Sequence, residues 1–334
     1  MSEADGKVLD AKKFVNNGPN GERWNIVLLG DGFNQFQQGS FQSAAVDFVN
    51  ALQATPPFDE PAVWARLNVH RIRVESTESG ADNPLTCGDG SSPIGGVATT
   101  AATYFDASFC NSGVRRRLQI DQGLALTTAI RMIPDASNRL VVVIVNHPEH
   151  GGSGGQAACF SLSADALPAA IHELGHTAFG LADEYEYEQG CDKHETGHDT
   201  YTGPEPTEPN VTRNGSDRAT LKWRHLVDKT TRIPTTRNGD CSQCRTDPNP
   251  VSDSTVGAFV GAKYFHCGLY RPVFNCRMRT LTQPFCPVCK DAIRRKLAVT
   301  TPPPSSCPPA FAFAGSSRPN VAETLRRRDR RGGG

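Results

Sequence analysis

Leu140-Val141-Val142-Val143-Ile144-Val145 is an unbroken apolar run dominated by β-branched residues. Its length suits a strand, and apolar residues on both faces require cover on both sides. Such a strand belongs to an α/β layered core. Toward the N-terminus, Ile26 to Leu29 predicts a second buried strand, stopped by Gly30-Asp31-Gly32. Leu67 to Val74 predicts a third, with Ile72 and Val74 on one face. Phe36 to Leu52 carries Phe41, Ala44, Ala45, Phe48 and Leu52 at helical spacing and ends before Pro56-Pro57. Ile120 to Ile133 predicts another helix. Beyond the central run, Asp165 to Phe179 predicts a helix with Leu167, Ala170, Ile171, Leu174 and Ala178 as its apolar stripe. Ser163 or Asp165 can cap its start, Pro168 fits its first turn, and Gly180 can end it.

The chain has 334 residues, with 35 Lys+Arg against 35 Asp+Glu and 11 Cys. Zero net charge argues against a general nucleic-acid binder, which usually carries a basic excess. The balance is uneven: Arg318 onward holds six Arg against Glu323 and Asp329, so the body before it is mildly acidic. No window approaches the 18 apolar residues of a membrane-spanning helix. Two features pull the compartment in opposite directions. Eleven cysteines favour an oxidising, extracytoplasmic setting, whereas Met1 to Asp5 is polar and acidic and lacks the regions of a secretory signal.

The segment that carries chemistry is His172-Glu173-Leu174-Gly175-His176. Residues at i and i+4 lie about 40° apart on a helix, so both imidazoles can reach one ion. Zinc suits them because imidazole is a good ligand for it. Glu173 can face the open coordination position, take a proton from the attacking water and pass it to a leaving amine. A catalytic zinc needs a third protein ligand. Gly180 can turn the chain back toward the ion, which makes Asp183 the natural choice; Glu184 is the alternative, and the chemistry of the two carboxylates does not separate them.

The string 172–185, His-Glu-Leu-Gly-His-Thr-Ala-Phe-Gly-Leu-Ala-Asp-Glu-Tyr, resembles the IgA-peptidase family of zinc metallopeptidases. Ile26 to Phe33 with the helix around Phe41, Asn68 to Gly80, Val256 to Tyr264, Gly268 to Pro272, Cys276-Arg277-Met278-Arg279 and Phe285 to Cys289 are also similar to family segments. The resemblance spans roughly residues 22–297 and leaves out the tail. It implies a zinc-dependent endopeptidase with His172 and His176, and Asp183 as third ligand, holding the metal and Glu173 as the base. By analogy with metzincin-like enzymes, Met278 would form an apolar floor beneath the imidazoles. The implied fold is α/β and metzincin-like, with a twisted mixed sheet, an active-site helix and an irregular C-terminal subdomain.

Tyr185, Tyr264, Tyr270 and Arg271 are candidate donors to the oxyanion of peptide hydrolysis. The Gly-rich stretch from Gly152 to Ser161 is a candidate edge for pairing with extended substrate. A disulfide between Cys87 and Cys110 would close the loop at 78–112. Cys241-x-x-Cys244 and Cys286-x-x-Cys289 favour disulfides, with Cys191, Cys267 and Cys276 as competing partners, and a second, structural zinc or free thiols as the lesser readings. Asn210-Val-Thr212 and Asn214-Gly-Ser216 match the glycosylation pattern.

The expected organisation is a flexible arm at 1–22, an α/β subdomain with the active-site helix at 23–180, a subdomain with third ligand and Met turn at 181–299, and a disordered Pro/Arg-rich tail at 300–334. The expected activity is hydrolysis of protein or peptide substrates by a monomer. A non-catalytic peptide-binding protein on a peptidase scaffold and a zinc amidohydrolase with a non-protein substrate are the alternatives; the presence of Glu173 favours catalysis.

Overall fold

The computed structural model describes residues 5–188, 190–191 and 197–299. The expected tail at 300–334 lies outside them. The chain forms two compact units, one over residues up to Leu174 and again from Leu297, and one over Gly175–Lys296, with both boundaries inside helices.

The first unit is built on a six-stranded mixed sheet. Its elements are β1 (Gly6–Val15), β2 (Trp24–Asp31), α1 (Gln38–Gln53), α2 (Pro61–Trp64), β3 (Leu67–Ser76), α3 (Gln122–Met132), β4 (Asn138–Val145), β5 (Gly152–Ser153) and β6 (Ala157–Ser161). The strand order is β1-β3-β2-β4-β6-β5. The central four strands run parallel, and the two edges are antiparallel. Sequence pattern explains the centre: every residue of β2 is buried, as are the last six of β4, which is how a strand covered on both faces reads. Each fully buried Val, Leu, Ile or Phe side chain contributes about 1.5–3 kcal/mol. Helix α1 buries Phe41, Ala45, Phe48, Val49 and Leu52. Helix α3 starts on Asp121, whose carboxylate accepts the Leu124 N–H at 2.8 Å.

Residues 5–22, the described part of the expected arm at 1–22, are not free. Within them Gly6–Val15 is β1, paired antiparallel with β3, Asp10 opposite Arg73. The Asp10 carboxylate accepts from both Arg71 and Arg73, and these guanidiniums hold its pKa below the usual carboxylate value. The stretch reads as polar because an edge strand wears charge on its open face.

The loop at 78–112 is closed by the Cys87–Cys110 disulfide. It is also pinned from inside. Buried Asp31, at the end of β2, accepts from the N–H groups of Phe105 and Ala107 and the hydroxyls of Thr103 and Ser76.

Helix α4 (Ala166–Phe179) follows β6 and crosses the unit boundary. The second unit adds β7 (Phe259–Ala262) and β8 (Phe265–Arg271), an antiparallel hairpin, and α5 (Pro287–Val299). Its long connections are tied by the Cys191–Cys244 and Cys241–Cys267 disulfides. A zinc shared between Cys241-x-x-Cys244 and Cys286-x-x-Cys289 is therefore ruled out, because Cys241 and Cys244 are committed elsewhere. Among the described residues no helix is long and apolar enough to cross a membrane.

Candidate metal centre

His172 and His176 lie on α4, and Asp183 follows on the turn that leaves it. One ligand atom from each of these three residues falls within 4.8 Å of the others. The turn is set by Gly180 at φ +63°, the left-handed conformation that ends a helix at little cost to glycine. Its N–H donates to the His176 carbonyl at 3.1 Å, and the Leu181 N–H donates to the Gly175 carbonyl at 3.1 Å.

The reversal also fixes His176. Its Nδ1 lies 2.7 Å from the Leu181 carbonyl oxygen. A carbonyl only accepts, so Nδ1 carries the proton and Nε2 of the neutral ring presents a lone pair. That Nε2 lies 3.1 Å from Asp183 Oδ1. Two acceptors facing each other repel unless the ring is protonated or a cation lies between them. Zinc bonds of about 2.0–2.1 Å in tetrahedral geometry place neighbouring N and O ligands about 3.3 Å apart. The donor set and this spacing fit a zinc ion.

Asp183 is held from its other side. Tyr264 Oη donates to Asp183 Oδ2 at 2.7 Å, the type of outer contact that orients a ligating carboxylate. Tyr264 reaches there from the tip of the β7–β8 hairpin. Lys263 and Tyr264 both have positive φ, 50° and 71°, which gives the right-twisted two-residue turn normally made with Asn and Gly. Their N–H groups donate to the Asp183 and Tyr185 carbonyls. This strained tip therefore grips the Asp183 segment by backbone and side chain together.

Glu173 extends toward the edge strand β5. A Cβ built on Gly152 would lie 3.5 Å from Glu173 Cγ and 3.8 Å from its Oε1. The Gly152–Ser161 stretch divides into β5 and β6. β6 lies inside the sheet, and the Gly152 N–H already donates to the Arg116 carbonyl at 3.1 Å. The free edge expected there is reduced to a two-residue strand with one N–H engaged.

Met278 packs against α4. A Cβ on Gly175 would meet Met278 Sδ at 2.9 Å, and Met278 is fully buried. Glycine between the two histidines is what admits the thioether so close. The Met278 carbonyl also accepts the Glu184 N–H at 2.7 Å.

The other expected donors have the following partners. Tyr185 makes tilted ring contacts with Tyr187 and Tyr264. Tyr270 pairs through its backbone with Val260 and Thr212. Arg271 is buried and gives its guanidinium to the Glu186 carboxylate at 2.9 Å and to the Val260 and Gly261 carbonyls. Burial, with Arg279 nearby, lowers its pKa to about 10 despite the Glu186 partner.

Glu184 does not join the histidines. Its carboxylate groups with Cys276, Cys286 and Cys289, all four residues buried. Burial and then Cys276 push that carboxyl well above the usual range. Sequence reading missed Asn210, which holds this region together. Its side chain accepts the Ala182 N–H at 2.8 Å, donates to the Ala182 carbonyl at 2.8 Å and donates to Glu184 Oε1 at 2.9 Å. Asn210 is fully buried, so its glycosylation pattern is closed to modification in the folded chain. Only the Asn-x-Thr spacing marked it beforehand.

Fold and site together define a mixed α/β protein with a His/His/Asp group able to hold a metal ion. The family model described as IgA Peptidase M64 matches residues 13–247 and 248–297, and the chain belongs to this family. It is on that basis a peptidase. A comparison with curated proteins gave no match.

Proposed function

We propose that the protein is a zinc-dependent endopeptidase in which His172, His176 and Asp183 hold the metal and Glu173 is the general base. The observation that carries this reading is the facing pair of acceptors, His176 Nε2 and Asp183 Oδ1, 3.1 Å apart, with the histidine tautomer fixed by Leu181. Zinc held there would polarise the scissile carbonyl and acidify the attacking water.

The chain's own residues do the rest. A Glu173 carboxylate oxygen accepts the water proton and delivers it to the leaving amine nitrogen. Tyr264 keeps the Asp183 carboxylate aimed by donating to its outer oxygen. Met278, packed against Gly175, fixes the ligand helix from its apolar side. Tyr185, Tyr270 and Arg271 remain candidate donors to the oxyanion, with Arg271 the least available because its N–H groups already serve Glu186 and two carbonyls.

The direct test is Glu173→Gln. The variant should bind zinc like the parent and cleave an unstructured polypeptide about 10²–10⁴-fold more slowly. Unchanged cleavage would remove Glu173 from the mechanism.

A further inference from the structure

Three thiols and one carboxylate converge in the second unit, apart from the histidines. Cys276, Cys286 and Cys289 are unbonded and buried, although two disulfides form elsewhere in the same unit. One ligand atom from each of Cys276, Cys286, Cys289 and Glu184 lies within 4.8 Å of the other three. We propose that these four residues form a second metal site, a closed structural site for zinc.

The spacings match a shared ion. Tetrahedral zinc with Zn–S bonds of about 2.3 Å sets sulfur atoms about 3.8 Å apart, and a carboxylate ligand about 3.5 Å from each sulfur. Cys276 Sγ lies 3.8 Å from Cys289 Sγ, and Cys289 Sγ lies 3.5 Å from Glu184 Oε1. A disulfide would need sulfurs at about 2.05 Å, and three thiols leave one over in any case.

The surroundings are also those of a metal knot. Cys286 and Cys289 bracket the start of α5 in a Cys-x-x-Cys spacing. The Cys286 N–H donates to Cys276 Sγ at 3.3 Å, and the Cys289 N–H donates to Cys286 Sγ at 3.4 Å, which stabilises thiolates. Asn210 orients the Glu184 carboxylate through Oε1. Its other oxygen, Oε2, is buried with no hydrogen-bond partner, a costly arrangement that a cation relieves. The positive charges of Arg271 and Arg277 act on Glu184 and Cys276 respectively and offset the excess negative charge of three thiolates and a carboxylate around a divalent ion.

Four protein ligands leave no open position, so the site is structural. Binding releases the thiol protons to solvent as the Zn–S bonds form, with no change of oxidation state. Its effect is mechanical. It ties Glu184, next to the third ligand of the proposed catalytic site, to the Cys276–Met278 segment and to α5. The proposal rests on its own geometry and does not need the histidine site to bind metal.

The test is cobalt(II) substitution of the full chain, with metal counted per chain by plasma mass spectrometry. Cobalt at this site gives a thiolate-to-metal charge-transfer absorption that a His/His/Asp site cannot give. The expected result is that absorption in the unaltered chain, its retention with one metal per chain in the doubly substituted His172→Ala, His176→Ala protein, and its loss in Cys286→Ser. The unaltered chain decides the matter if a variant fails to fold. No thiolate absorption in the folded, metal-loaded chain, or a disulfide among the three cysteines found by peptide mass spectrometry, overturns the proposal. Failure of the histidine site to bind metal would leave the absorption unchanged.

Discussion

Asp183 and Glu184 are consecutive residues whose carboxylates enter different ligand groups, one with His172 and His176, the other with Cys276, Cys286 and Cys289. The separation is set by Asn210, which clips the Ala182 peptide on both sides and takes Glu184 Oε1. Asp183 is then left to face Tyr264 and His176.

That arrangement ranks the proposed ligands. Asp183→Ala should weaken metal binding at the histidine site most. Tyr264→Phe, which keeps the ring and removes the hydroxyl, should weaken it about 10–100-fold, the usual effect of losing an outer partner. Competition with a chromogenic zinc chelator measures both. Full affinity in Asp183→Ala would place the third ligand elsewhere.

Asn210→Ala removes three hydrogen bonds and strands buried partners on Ala182 and Glu184. Unfolding in urea should show a loss of about 2–4 kcal/mol, given about 1–3 kcal/mol for each buried group left unsatisfied and the incomplete additivity of such losses. If the chain is expressed in a glycosylating host, peptide mapping should find Asn210 unmodified. A glycan on Asn210 would contradict its burial.

Gly175→Ala places a methyl group against the Met278 thioether, where 2.9 Å is available. Alanine favours helix by about 1 kcal/mol over glycine, so propensity alone predicts a more stable protein. Displacement of Met278 should outweigh this and lower both the melting temperature and the cleavage rate. Gly175→Ala combined with Met278→Ala should recover part of the melting temperature, because the clash is gone.

His70 supplies a pH dependence through a residue that belongs to neither candidate metal group. It is buried, with Nε2 3.1 Å from Asn25 Oδ1. Burial, reinforced by Lys13 and opposed by Asp135, lowers its pKa from 6.5 to about 4. The native state therefore binds fewer protons than the unfolded chain between these values. The contribution of His70 is complete above pH 6.5 and is lost as pH falls toward 4, with a slope of at most about 1.4 kcal/mol per pH unit. Urea unfolding as a function of pH should show a shallower decline across this window in His70→Gln than in the parent.

The parts of the fold that were legible in the sequence are those whose burial is recorded in local pattern. The runs at Ile26–Leu29 and Leu140–Val145, the stripe around Phe41 and the helix carrying His172 and His176 all appear where periodicity places them. β1 was illegible because its signal is long-range. Lys7, Asp10 and Lys12 look like solvated charge until Glu75, Arg71 and Arg73 of β3 lie beside them. The choice between Asp183 and Glu184 depended on Asn210, which is remote in sequence. The cluster of Glu184 with three cysteines was equally hidden, since Cys276 has no local spacing relation to Cys286-x-x-Cys289, and the Cys241-x-x-Cys244 pair offered a false partner.

The central claim is hydrolysis that depends on metal held by His172, His176 and Asp183. The most direct measurement is cleavage of an unstructured polypeptide by the full chain before chelation, after chelation and after zinc is returned. Cleavage should vanish with the chelator and return with zinc in the parent, and fail to return in His176→Ala. Cleavage that persists through complete removal of metal, verified by plasma mass spectrometry, would contradict the account.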